Sequence, residues 1–136
     1  MRARRKADAT GLARRWRALT HRFGIGLVVA NALALMVASW TPRGYMIRSS
    51  IFSGNVEHAI VYGLSGAFIF AVLAGRYAAW QVTALLVTYG GLLELGQQFV
   101  PGRHAAIDDF AFSAAGSVVG VLACAALHRR VDPDRE

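Results

Sequence analysis

The sequence predicts an all-α integral membrane protein, a polytopic compact bundle of four transmembrane helices, and three observations carry that expectation. The first is composition: of 136 residues 55% are hydrophobic and 17% charged, with mean hydropathy +0.39, too apolar for an ordinary water-soluble domain. The second is the presence of four stretches of 17 or 18 residues that carry no charged side chain. The third is the distribution of the formal charge of +7: residues 1–22 hold eight basic side chains and one acidic, while the remainder balances seven against seven. A basic excess confined to a tail beside apolar sequence argues against a nucleic-acid surface, so no nucleic-acid partner is expected. Cys124, the single cysteine, excludes an intramolecular disulfide and a cysteine-cluster metal site.

The stretches run Phe23 to Trp40, Ala59 to Gly75, Tyr77 to Leu93 and Phe110 to Leu127. A helix needs about 20 largely apolar residues to cross a bilayer core, so each must draw in its flanks. Those flanks bring Glu57 and His58, then Glu94, Gln97 and Gln98, then Asp108 and Asp109, toward membrane depth. The first stretch also has the basic start of a secretory signal, but its length and its ending Ala38-Ser39-Trp40 favour a retained helix. The expected organisation is a basic cytoplasmic tail at 1–22, a membrane domain at 23–128 and a second cytoplasmic tail at 129–136. Lys and Arg bias puts both termini on the cytoplasmic side, and Trp40 and Tyr45 mark the outer boundary. The long connections, Thr41 to Gly54 and Val100 to Ile107, are then outside; the first is read as a plain loop in preference to an interfacial segment.

That topology gathers the polar residues. His58 and Tyr62 lie one turn apart at the start of the second span, Glu94 and Gln97 share a face at the end of the third, and Arg103 and His104 follow in the loop. Asp109, Ser113, Gly116 and Gly120 form a polar and small stripe down the fourth, whose Gly116 to Gly120 step suits close backbone approach, including approach of a second copy. Asp108 reads as a helix first-turn residue and His104 as an exposed one. Glu94 is the strongest candidate, because an ionisable group within a span calls for a partner or a function. A structural bridge from helix to loop, paired with Arg103, is the lesser reading.

Such an outward cup supports three chemistries. His58, Glu94 and Asp109 offer hard metal ligands without ligand spacing, so no metal and no cofactor is expected. The same three are the catalytic candidates if the cup acts on a lipid-linked substrate, with Arg103 clamping an anion; no nucleophile motif supports that. Binding alone needs less.

His58-Ala-Ile-Val-Tyr62, Glu94-Leu-Gly-Gln97, Pro101-Gly102-Arg103, Asp109, and Gly116 with Gly120 together resemble the VanZ-like family over roughly Asn55 to Val121. That resemblance implies a bacterial multi-spanning membrane protein of a family named for a member linked to resistance to the lipoglycopeptide teicoplanin. It implies a polar site of His58, Tyr62, Glu94, Gln97, Arg103 and Asp109, with Ser113 where the family usually has Asn and Asn55 where it often has Lys. The expected function is binding of an envelope-associated ligand, a lipid head group or lipoglycopeptide, at His58, Tyr62, Glu94, Gln97, Arg103, Asp109 and Ser113, with Arg103 on its anionic group. A membrane-embedded enzyme, or an assembly protein self-associating through Gly116 and Gly120, are the alternatives.

Overall fold

A computed structural model describes residues 22–42 and 54–131. The basic tail at 1–21, most of the Thr41 to Gly54 loop and residues 132–136 lie outside the described residues. The rest is helical: α1 (Arg22–Trp40), α2 (Gly54–Leu73), α3 (Ala79–Gly96) and α4 (Ile107–Val131), with a 3-10 turn, Gln97–Phe99, closing α3. Each apolar stretch becomes one helix, and each is extended by the polar flanks that its length demanded.

Three of these helices, α1, α2 and α4, are long and apolar enough to cross a membrane. At 18 residues α3 has the length, but Gln81, Glu94, Gly90, Gly91 and Gly96 dilute its apolarity. Large apolar side chains point outward along all four: Phe23, Leu64, Trp80, Leu122 and Leu127 are each more than half exposed. In water this surface would drive aggregation; hydrocarbon solvates it.

The connection between α2 and α3 is a tight turn. Arg76 and Tyr77 both donate their N–H to the Leu73 carbonyl, and Gly75 takes φ +79° to allow it. The Gln81 side chain then accepts the Ala78 N–H, at the start of α3.

Helices α2 and α4 run parallel in tight contact, their residues rising in step along the seam. Ala59 faces Gly116 and Gly63 faces Gly120, while a Cβ on Gly66 would sit 2.8 Å from the Ser117 carbonyl oxygen. Between them Ser117 donates to the Ser113 carbonyl at 2.9 Å, so its fully buried hydroxyl is satisfied within its own helix. The Gly116 to Gly120 step is therefore an intrachain contact. Helix α2 covers the face that was expected to suit a second copy, and nothing larger than hydrogen fits there.

Helix α1 lies at the periphery against α3 and α2. Tyr89 of α3 donates to the Ala32 carbonyl at 2.6 Å, and Trp40 donates from Nε1 to the Leu93 carbonyl at 3.2 Å. Two apolar cores result. Ile69, Phe70, Val82, Leu86, Val121 and Ala125 fill the lower bundle, and Leu35, Tyr62 and Leu93 the upper part, toward the Glu94 end.

Gly120→Ala should destabilise the fold by about 2 kcal/mol, because its Cβ lands on the Gly63 backbone, which cannot swing aside as a side chain could. Gly26→Ala, whose Cβ meets nothing within 4 Å, should leave thermal unfolding in detergent unchanged or slightly raised. Equal melting temperatures for the two variants would show that the seam is loose.

Candidate functional site

The polar candidates do come to one end of the bundle, where α1 and α3 finish and α2 and α4 begin. They divide there between two neighbourhoods on either side of α4.

On the α2 side, His58 reaches across to α4 and spans one turn of it. Its Nδ1 shares a hydrogen bond of 3.1 Å with Ser113 Oγ, and its Nε2 stands 4.0 Å from Asp109 Oδ2. Asp109 and Ser113 are i, i+4, so the spacing that put both on one face also places them at the two nitrogens of one ring. Tyr62, a turn below on α2, stacks its ring on the imidazole with centroids 6.4 Å apart and 11° between planes. Its own ring is buried against Gly90, where a Cβ would come within 3.1 Å. The side chains of His58 and Asp109 are 23% and 25% exposed, so this pair is reachable, whereas Ser113 is only 4% exposed. At the rim Asn55 donates to Asp108 Oδ2 at 3.1 Å, joining the first turns of α2 and α4. Asn55 thus answers an acidic residue with an amide.

On the α3 side, Glu94 is buried, and its Oε1 accepts the Ala106 N–H at 2.7 Å. Ala106 immediately precedes α4 and its carbonyl takes the first helical bond, from Phe110. Glu94 therefore satisfies a backbone donor at the positive end of the α4 dipole. Among the described residues Glu94 and Arg103 make no ion pair, so the bridge from helix to loop runs from carboxylate to backbone.

Arg103 faces α1 instead. Its Nε donates to the Thr41 carbonyl at 3.1 Å and its guanidinium donates to the Ala38 carbonyl at 3.0 Å, where α1 ends. The hydroxyl of Thr41 takes the Val37 carbonyl at 2.6 Å. A helix leaves its last carbonyls unpaired and negative, and a guanidinium with a fixed fork of donors is suited to them. The Pro101-Gly102 turn aims it: Arg103 N–H bonds the Val100 carbonyl at 3.0 Å across a turn in which Gly102 holds φ +75°. Gln97, buried to 1% exposure, donates to Ser39 Oγ at 2.9 Å and ties α3 to the same end of α1. Carbonyls of α1 thus orient Arg103.

Sequence reasoning missed three of these partners. Trp40 was a boundary marker; its indole occupies the space that Gly96 leaves, where a Cβ would lie 2.7 Å from the ring. Tyr89 and Ser39 drew no attention because neither sits in a charged context. His104 is exposed, as its place in the loop suggested. Among the described residues no three of His, Cys, Asp and Glu gather in a way that could hold a metal ion.

Between α3 and the start of α4 lies an open groove of about 640 Å³, lined by Val87, Thr88, Gly91, Leu92, Glu94, Leu95, Ala105, Ala106, Ile107 and Phe110. Among the described residues of its wall, Glu94 is the one ionisable side chain.

Arg103→Ala should loosen α1 and leave α2 and α4 alone. Amide exchange measured by mass spectrometry should lose protection across residues 37–41 by about tenfold, as expected for two lost charge-assisted hydrogen bonds. Arg103→Lys should restore only part of it, since a point charge does not reproduce the fork. Unchanged protection in the Ala variant would remove the capping role.

A family model described as VanZ/LLP1 matches residues 9–128. No curated protein and no solved structure matches. The family match extends well beyond the polar motifs, through the helices that position His58, Glu94, Arg103 and Asp109, and the chain belongs to the VanZ/LLP1 family.

Proposed function

We propose that this VanZ-family chain sits in a bacterial cytoplasmic membrane with α3 as its fourth span, both termini cytoplasmic, and the Glu94 end facing outward, where it binds the polar part of an envelope-associated amphiphile. Three helices of spanning character and a parallel α3 beside α1 support the four-span arrangement. The basic tail and the Arg129-Arg130 pair set its direction.

The observation that carries binding is the His58–Asp109 pair. At 4.0 Å the two are too far apart for a direct hydrogen bond, and both are about a quarter exposed. An incoming hydroxyl, amine or amide fits between an imidazole nitrogen and a carboxylate oxygen that already face each other. Ser113 and the Tyr62 ring fix the imidazole from the other side, so the pair is pre-oriented. A lipoglycopeptide is an amphiphile of this kind, and the resistance role implied by the family resemblance would act through the same end.

An enzyme is the second reading, and one observation favours it: Asp109, His58 and Ser113 form a carboxylate, imidazole, hydroxyl series. The burial of Ser113 weighs against it, because a hydroxyl that attacks a substrate must be reached by one.

His58→Ala with Asp109→Asn tests binding. Native mass spectrometry of wild-type protein released gently from its own membrane should show a specific retained mass that this double variant loses while keeping its helical circular dichroism. Identical spectra, bare or with the same bulk lipids, would overturn the reading.

A further inference from the structure

The groove between α3 and α4 has a wall that is almost wholly apolar and one buried acid at its end. Oε1 of that acid, Glu94, is taken by the Ala106 N–H. Oε2 makes no hydrogen bond or ion pair among the described residues, and it is not sealed away from its surroundings. An acceptor with spare capacity therefore borders an open apolar channel.

What fills such a channel follows from its surroundings. Leu92, Leu95 and Ile107 on its rim are 60%, 58% and 87% exposed, on a flank that faces hydrocarbon if the bundle is embedded. A water molecule needs two to four polar partners, and the wall offers few besides Glu94. A partner helix would need a seam along a span of about 30 Å. The groove follows α3 only from Val87 to Leu95, roughly 12 Å at the helical rise. A flexible hydrocarbon chain fits both the length and the lining.

Charge selects the other end of the occupant. Glu94 presents an acceptor, and no basic side chain is among the described residues that line the groove. Arg103, the cation in the adjoining loop, is directed at the α1 carbonyls. A group placed over Glu94 should thus carry donors and positive charge.

We propose that the α3–α4 groove is a lipid site that takes the upper acyl chain of a membrane phospholipid whose primary-ammonium head group, of the phosphatidylethanolamine class, donates to Glu94 Oε2. This rests on the membrane placement and amphiphile binding proposed above, and adds a second subsite and a ligand class to them.

The test uses the full chain in nanodiscs of equimolar phosphatidylethanolamine, phosphatidylglycerol and phosphatidylcholine, each in turn carrying a photoactivatable group high in one acyl chain. Wild-type labelling should concentrate on residues 87–95 and 105–110, with the ethanolamine lipid about tenfold over the glycerol lipid. Glu94→Gln should keep the labelled peptides and bring that ratio to about one. Thr88→Trp, at an exposed position in the groove wall, should remove the labelling while circular dichroism stays unchanged; Leu92→Trp is the second filling variant should the first fail to fold. Equal labelling by the glycerol lipid in wild type, or label spread evenly over the outward helix faces, would overturn the proposal. Label concentrated at His58 and Asp109 instead would overturn the groove and leave amphiphile binding standing. Even labelling together with no retained mass in the native spectra would remove both.

Discussion

The close approach of α2 and α4 is the constraint on which the rest depends. In a hydrocarbon environment apolar side chains gain nothing by meeting one another, so helices associate through backbone proximity, packing and polar contacts. Ala59, Gly63, Gly66, Gly116 and Gly120 bring the two backbones together, and a methyl group at either Gly116 or Gly120 would meet main chain. That proximity lets an imidazole on α2 reach a hydroxyl on α4 at 3.1 Å and face a carboxylate one turn above it. Separate the helices by the width of one side chain and His58 would meet neither. The small-residue seam and the polar pair are one device, because the first sets the reach of the second.

The polar residues at this end have two kinds of work. Gln97, Arg103 and Oε1 of Glu94 answer polar atoms at helix ends: carbonyls of α1, a hydroxyl of α1 and the N–H that opens α4. Leaving such groups unpaired at membrane depth costs several kcal/mol each. His58, Asp109 and Oε2 of Glu94 retain capacity after the internal partners are counted. The second kind is what the proposed binding draws on, since architecture does not need it. An arginine in a family motif invites the role of anion clamp, and here its geometry answers the negative end of a helix within the same chain.

Much of this was legible in the sequence, for identifiable reasons. Uncharged runs of fixed length and the asymmetry of Arg gave four helices, their alternation and the end at which His58, Glu94 and Asp109 would meet, because these follow from bilayer thickness and helical rise. Pairings were less legible. Placing Glu94 and Arg103 at the same depth made an ion pair natural, but depth leaves rotation about the helix axis open, and Glu94 turns toward Ala106 while Arg103 turns toward Thr41. Partners of the main chain were the least legible. The Ala38, Leu93 and Ala32 carbonyls carry no side-chain signature, so the roles of Arg103, Trp40 and Tyr89 appear only when the helix ends are placed. The glycine step was legible as a close contact, but its partner was not, because a motif for approach does not say which helix approaches.

The serine at position 113 links the seam to the chemistry of the site. Its hydroxyl lies almost wholly out of reach, one turn above the glycine that faces Ala59. A longer amide there would have to displace the His58 ring or widen the seam; the hydroxyl needs only to rotate. With the imidazole proton on Nε2, toward Asp109, Nδ1 accepts from Ser113, and the ring is left with a donor aimed at the open side. A side chain of this size therefore sets which face of His58 is available, and it presents that face together with a carboxylate. Both open sites at this end are then built on acids, Asp109 on the α2 side and Glu94 on the α3 side, while the nearest loop cation is directed inward at α1. A ligand bearing donors and positive charge satisfies both sites, whereas an anionic head group would have to bind where the described structure presents carboxylates.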